Sequence, residues 1–140
     1  MSMDAHRQQA ELTVQQAAAT AYPAVLLAWE NVPFTQPETT WMKTFLVEGR
    51  GFLTNLGRGR QIDRHTGLVQ VDVMVPENIG TSPAIQLAEW AGKLFRLQTV
   101  SLADNAVVRY RVPEVANHGI QNGFFRTTMR VLYCRDEVPQ

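Results

Sequence analysis

The clearest pattern in the chain is an alternation of apolar and polar positions between residues 69 and 75. Valine occupies every second position there, and Gln70, Asp72 and Met74 lie between the valines. A period of two over seven residues is typical of a strand with one buried face. Pro76 follows directly and cannot donate to a strand ladder, so we expect the strand to end there.

Four other segments also have the composition of strands. They combine apolar runs or alternation with β-branched and aromatic residues, which fit a pleated, half-buried surface. The predicted strands cover residues 24–29, 40–49, 106–112 and 123–135. Between the last two, residues 113–123 are rich in turn formers, and we interpret them as a connection.

Two segments have the pattern of helices. Residues 4–20 are rich in alanine and glutamine, with Asp4 placed to cap the first turn. The second helix covers residues 82–96, with Ser82 as the predicted N-cap and Pro83 at the first helical position. Its apolar positions repeat every three or four residues and form one stripe: Ala84, Leu87, Ala88, Ala91, Leu94 and Phe95.

The predicted order of elements is therefore α-β-β-β-α-β-β. Runs of strands around one central helix indicate an α+β fold. We expect a mostly antiparallel sheet of four to five strands with both helices packed on one face. Residues 1–140 form one domain, with an N-terminal helix in residues 1–22 and a long, flexible β-hairpin arm at residues 49–66.

Arginines lie on one predicted face of this sheet. Arg109 and Arg111 alternate with apolar residues in one strand, and Arg126 and Arg130 do so in the last strand. That face must contact carboxylates, solvent or a neighbouring molecule.

The charge composition narrows the classes of partner. Lys+Arg and Asp+Glu both count 13, so the net charge gives no general attraction to nucleic acid or to an anionic membrane. The cations are 11 arginines and 2 lysines, a bias that favours packed contacts with partners. The chain has no signal-peptide pattern and no apolar window long enough to span a membrane, so we expect a soluble protein inside a cell or in a particle assembled there.

No motif of catalysis or metal binding occurs. The three histidines are scattered, and the one cysteine, Cys134, lies in a predicted strand. We therefore predict neither an enzyme nor a cofactor or metal site.

The stretch GRGFLTNLGRGRQIDR, residues 49–64, carries four arginines and four glycines. It joins a strand to a strand, whereas a phosphate-binding loop needs a helix N-terminus directly after it. Three interpretations stay open: a solvated hairpin, an assembly contact, and a direct contact with DNA backbone.

The chain resembles the tail terminator proteins of long-tailed phages, over about residues 29–134. The resemblance is carried by WENVPF with a downstream Trp41, by RHTGLVQVDVMVPENIGTSPAIQLAEWAGKLF, and by the closing FFRTTMRVLYCR. The matching positions are Arg64, Gly67, Val69 to Val75, Pro76, Gly80, Leu87, Ala88, Glu89 and Phe95.

This resemblance implies a structural virion protein at the head-proximal end of the tail, assembled in the host cytoplasm. Such terminators form a hexameric ring that caps the tail tube, stops its polymerisation and presents a surface to the head connector. Genomic DNA would pass through the lumen without sequence-specific contact. The candidate interface residues are Arg50, Arg58, Arg60, Arg64, Asp72, Arg109, Arg111, Arg126 and Arg130.

A ring needs head-to-tail contacts, and Asp72 and Glu48 are candidate partners for arginines of the next subunit. The alternatives are a neck or head-closure adaptor, a minor tail protein, and a small nucleic-acid- or ligand-binding module.

Overall fold

The structure, a computed structural model, describes residues 2–53 and 61–138. Two helices and seven strands follow one another along the chain. They are α1 (Ser2–Ala21), β1 (Leu26–Trp29), β2 (Trp41–Leu53), β3 (Asp63–Pro76), α2 (Ser82–Phe95), β4 (Thr99–Ser101), β5 (Val107–Tyr110), β6 (Glu114–Gln121) and β7 (Phe124–Glu137). The predicted α+β class is confirmed.

The strands form one curled, mixed sheet in the order β1-β2-β3-β7-β5-β4, and β6 pairs with β7 beyond the end of β5. The expected four to five strands were too few. All pairs are antiparallel except β1 with β2, which run parallel. The centre of the sheet is β3 paired with β7 over fourteen residues of each strand.

The segment predicted as a connection, residues 113–123, contains the strand β6. Glu114 pairs with Arg130 and Gln121 with Phe124, so β6 and β7 form a hairpin. β5 and β6 run in the same direction along β7 and cover successive parts of it. β4, the other strand that the sequence did not indicate, pairs with β5 alone.

Both helices pack on the same face of the sheet, as predicted. The core joins Val69, Val71 and Val73 of β3 to Val14 of α1 and Phe95 of α2, all buried. The apolar stripe of α2 is also confirmed, since five of its six predicted residues are buried and Leu94 is partly buried.

The two residues predicted as N-caps, Asp4 and Ser82, lie within their helices. Ser82 is the first residue of α2, and Thr81 occupies the N-cap position without a side-chain hydrogen bond to the backbone. Helix α1 begins at Ser2, so Asp4 lies inside its first turn, where it accepts a hydrogen bond from Arg7 at 2.7 Å. In the described ranges, neither helix is long and apolar enough to cross a membrane.

The predicted arm, residues 49–66, begins as an extension of the sheet. After a register shift between Glu48 and Gly51, the pairs Gly51–His65, Phe52–Arg64 and Leu53–Asp63 continue the β2–β3 ladder. The segment from Asp63 also pairs with β7 on its other side. Arg58 and Arg60 lie outside the described residues.

Candidate assembly surface

Among the described residues, no helix lies on one of the two faces of the sheet, and we call this face the open face. It is formed by the even-numbered residues of β7 from Arg126 to Asp136 and by their neighbours in β2, β3 and β5. By strand alternation the odd-numbered residues of β7 point to the helices. Four of the predicted interface arginines lie in strands on the open face, and Arg111 follows β5 beside them: Arg64, Arg109, Arg111, Arg126 and Arg130.

Asp136 holds two of these arginines at one end of the open face. Arg64 donates two hydrogen bonds to its carboxylate, at 2.7 and 2.9 Å, and Arg109 donates a third at 3.2 Å. The bonds from Arg64, more than those from Arg109, lower the pKa of Asp136, against the opposing effect of partial burial. The carboxylate therefore stays ionised and its acceptor sites are largely used within the subunit.

Asp72 has a similar role at the other end. It accepts hydrogen bonds from Arg126 at 3.2 Å, from Thr128 at 3.1 Å and from Gln70 at 2.8 Å. Asp72 was predicted as a partner for the next subunit, and the structure places it in contacts with its own chain.

Arg111 and Arg130 differ from the other arginines of the open face. Arg130 donates to the neutral side-chain oxygen of Gln70 at 3.2 Å, and Arg111 lies 3.9 Å from the sulfur of Cys134. Both side chains are exposed, and neither forms an ion pair with a described residue. Their charges are therefore available to a partner.

A shallow apolar groove of about 480 Å³ lies on the open face, and Arg111 is one of its lining residues. Arg130 does not line it but lies two residues before Leu132, which does, on the same face of β7. Val47, Leu68 and Leu132 lie side by side across three strands and line it. Val47 and Leu132 are each about half exposed, at 46% and 51%. An apolar strip bordered by arginines is the composition of a protein interface.

The opposite face contains a buried polar cluster that the sequence did not indicate. His6 of α1 is completely buried, and its Nδ1 lies 3.1 Å from Nη1 of Arg135. A guanidinium can only donate, so Nδ1 accepts, and the proton of the neutral ring must lie on Nε2. Nε2 therefore donates to the Tyr110 hydroxyl at 2.8 Å, which in turn donates to Gln9 at 3.1 Å.

Glu48 supplies the negative charge of this cluster. Arg135 donates to one carboxylate oxygen at 2.6 Å, and the hydroxyl of Tyr133 donates to the other. Burial alone would raise the pKa of Glu48, but these hydrogen bonds hold it below its ordinary value. The Tyr133 side chain lies against Gly67, where an added Cβ would come within 2.7 Å of its hydroxyl oxygen.

Glu48 was predicted, like Asp72, as a partner for arginines of the next subunit. The structure places it on the helix-covered face, where Arg135 and Tyr133 already bind it. Strand alternation contained a signal for this cluster, because Arg135 has the same phase as the buried Val131 and Tyr133.

The described residues contain no group of three or more histidine, cysteine or carboxylate side chains that could hold a metal ion.

The comparisons with known proteins agree with this architecture. A family described as "Phage tail terminator protein" matches residues 5–133. One solved structure, of a protein whose name states no function, aligns with a TM-score of 0.75 and 22% identity over 100% of this chain and 99% of its own. At that identity the likeness shows a shared fold. No curated protein matches the sequence significantly.

Proposed function

The chain belongs to the phage tail terminator family, and from that premise we propose that it forms a closed ring, six subunits in the family expectation, that caps the tail tube. The family is structural and its place is the tail of a phage virion. In the proposed role the ring stops tube polymerisation and offers the surface to which the head attaches. Genomic DNA passes through its lumen without sequence-specific contact.

The observation that carries the proposal is a pair of exposed arginines that form no ion pair with a described residue: Arg111 in the lining of the apolar groove, and Arg130 two residues from its Leu132. An exposed arginine next to apolar surface is suited to bidentate contact with a carboxylate of another chain. The other interface candidates of the open face, Arg64, Arg109 and Arg126, hold the surface in shape through Asp136 and Asp72.

The hairpin arm has a separate place in the proposal. Arg50, exposed at the base of the arm, and Arg58 and Arg60 further along it give this segment a local positive charge. We assign the arm to contacts with the adjoining tube or neck ring, and contact with DNA phosphates is the lesser alternative.

The test reverses the charges of Arg111 and Arg130. The double variant Arg111→Glu/Arg130→Glu is expected to fold like wild type, because both side chains are exposed and neither forms an ion pair with a described residue. It should fail to form rings or to limit tube length when mixed with polymerising tube protein. Mass photometry would count the subunits and electron microscopy would measure the tubes.

Arg96→Glu is the matched control, because Arg96 is also exposed but lies at the end of α2. If the double variant forms rings at the same protein concentration as the wild type, these arginines take no part in ring assembly. A wild-type protein that stays monomeric, caps no tubes and binds DNA in a salt-sensitive way would favour a nucleic-acid-binding module. Joining of heads to tails without any control of tube length would favour a neck adaptor.

A further inference from the structure

The sheet ends in unpaired strands on both sides. Within the described chain β1 pairs only with β2, and β6 pairs only with β7. β6 is eight residues long, mostly exposed, and contains one charged residue, Glu114. Its exposed apolar side chains include Ile120, at 61%. Long edges with few charges are templates for pairing with another strand.

The backbone groups that remain unpaired on β6 can be identified from the ladder. The N–H of Arg111 donates to the carbonyl of Leu132, so the backbone groups of Leu132 point toward β5 and β6. Alternate residues of a strand direct their N–H and C=O to the same neighbouring strand, so the other even-numbered residues of β7 do likewise. Glu114 and Ala116, opposite Arg130 and Thr128, therefore bond to β7. The backbone groups of Val115, between them, point outward.

The same reasoning applies to β1 at the other side of the sheet. The N–H of Leu26 donates to the carbonyl of Thr40, next to β2. Leu27 and Trp29 alternate with Leu26, so their backbone groups point away from the sheet. Leu26 itself has an exposed side chain, at 47%.

Strand direction decides which edges can join in a ring. β1 runs parallel to β2 and β7, and β6 runs antiparallel to both, so β6 and the β1 of another copy meet as an antiparallel pair. β1 and β6 lie on opposite sides of the sheet, and this junction keeps the helices of every copy on the same face. Pairing β6 with β6 or with β4 would need an inverted copy, because these strands lie on the same side of the sheet.

Charge selects a register for the junction. When Ala116 lies opposite Leu26 of the next copy, Glu114 lies opposite Ala28, whose neighbour in β2 is Lys43. Glu114 and Lys43 would then be two strand spacings apart, roughly 10 Å between backbones, a gap that the two long side chains can span. Neither residue forms an ion pair in the described chain.

We propose that β6 of one copy pairs antiparallel with β1 of the next, with Ala116 opposite Leu26 and Glu114 paired with Lys43, so that one continuous sheet runs around the assembly. The proposal rests on the ring proposed above and adds which edges form it. Val115 and Leu27 would exchange backbone hydrogen bonds, and Ala116 and Leu26 would form a pair without them.

Disulfide trapping tests the register. Residues opposite each other in a pair without backbone hydrogen bonds have Cα atoms about 4.5 Å apart, within the range of a disulfide. In a Cys134→Ser background, Ala116→Cys/Leu26→Cys should oxidise to a ladder of covalent oligomers on a non-reducing gel, ending at the size of the ring. The control Ala116→Cys/Ser101→Cys places the second thiol on the exposed edge β4 and should stay monomeric on the gel.

Charge reversal tests the ion pair without a cysteine. Glu114→Lys and Lys43→Glu should each raise the subunit concentration needed for ring formation, by about fivefold or more. The double reversal should restore it to within about twofold of wild type. Circular dichroism would verify that each variant is folded.

The outcomes separate this proposal from the ring itself. If the wild type forms rings but the Ala116→Cys/Leu26→Cys variant gives no covalent ladder, or the β4 control gives an equal one, the β6–β1 junction is overturned and the terminator role still stands. Charge reversals that are not rescued by their combination remove the Glu114–Lys43 pair and with it the stated register. A wild-type chain that forms no ring with or without tail tubes overturns both.

Discussion

Arg135 and Arg130 lie in the same strand, five residues apart, and differ in their exposure, in the face of the sheet that they occupy and in their contacts. Arg135 is 1% exposed, faces the helices, and is bound by Glu48 and His6. Arg130 is exposed, lies on the open face, and touches the neutral oxygen of Gln70. The side on which a strand presents an arginine decides whether its charge stabilises the subunit or is available to another molecule.

This difference extends to the whole of each face. On the helix-covered face, hydrogen bonds join charged and polar groups of α1, β2, β5 and β7. Two buried atoms beside them, Nε of Arg135 and Oε2 of Glu137, lie 3.5 Å apart and have no hydrogen-bond partner among the described residues. On the open face, Asp136 pairs with Arg64 and Arg109, and Asp72 pairs with Arg126. Arg111 and Arg130 form no ion pair with a described residue. We expect the stability of the subunit to depend on the first face and, in the proposed ring, contacts between subunits to use the second, so variants of the two faces should have separable effects.

The largest expected effect comes from Arg135→Ala. Removal of this cation leaves His6 without the donor to its Nδ1 and leaves Glu48 with only Tyr133 as donor and without the guanidinium that balances its charge. Breaking a buried pair in this way costs about 3 kcal/mol or more. Urea denaturation would measure the free energy of unfolding. Arg130→Ala is the matched control and should change it by less than about 0.5 kcal/mol. Equal losses in the two variants would contradict the distinction between the faces.

The next effect is a dependence of stability on pH. Burial, and secondarily the charge of Arg135, lower the pKa of His6 from 6.5 to about 4. Between these values the unfolded chain binds more protons than the folded one, so stability is complete above about pH 6.5 and falls as the pH drops toward 4. The integrated loss is at most about 3 kcal/mol.

Urea denaturation between pH 7.5 and pH 4.5 would measure this slope. His6→Gln, which can still accept from Arg135 and donate to Tyr110, should flatten it. The control His118→Gln, on the exposed strand β6, should leave it in place. An unchanged slope in His6→Gln would show that another group is responsible.

A smaller effect is expected from Asp136→Asn on the open face. It removes the charge that holds Arg64 and Arg109, but both arginines are partly exposed, at 38% and 58% of the side chain, so solvent screens the loss to about 1 kcal/mol. Thermal unfolding at low and high salt should show the loss shrinking as ionic strength rises. The control Glu38→Gln, at an exposed residue that forms no ion pair with a described residue, should show no such dependence. A loss as large as that of Arg135→Ala would mean that Asp136 acts on the core.

The elements with strong local patterns could be predicted from the sequence. β3 and α2 bury one face each, so their apolar residues follow a period of two or of three to four. α2 was placed to within one residue at each end, and so was the C-terminal end of β3, but β3 begins at Asp63, six residues before the alternation starts. β6 could not be recognised in this way. It is exposed along nearly its whole length, and Asn117 and Gly119 are residues that strands usually disfavour. Its conformation depends on the ladder with β7.

The buried cluster shows a second limit. His6 and Arg135 are 129 positions apart, and nothing near either residue in the sequence indicates that they meet. The parallel pairing of β1 with β2 likewise depends on tertiary structure, because the sequence of a short apolar run such as LLAW does not specify which strand it pairs with or in which direction. Four arginines were placed correctly on one face of the sheet because they alternate with other residues within single predicted strands: Arg109, Arg111, Arg126 and Arg130. Arg64 was assigned to the flexible arm, whereas it lies in β3. The partners of these arginines could not be assigned, since those lie on other strands.

The position of β7 has a consequence for how the chain folds. β7 follows β3, β5 and β6 in the chain and lies between them in the sheet. Until β7 is in place, those three strands have unpaired backbone edges, which favour aggregation. The ladder between β3 and β7 joins residues up to 74 positions apart, and such non-local pairing slows folding. Premature self-association of nascent chains is therefore a hazard that faster folding of the β6–β7 hairpin would reduce.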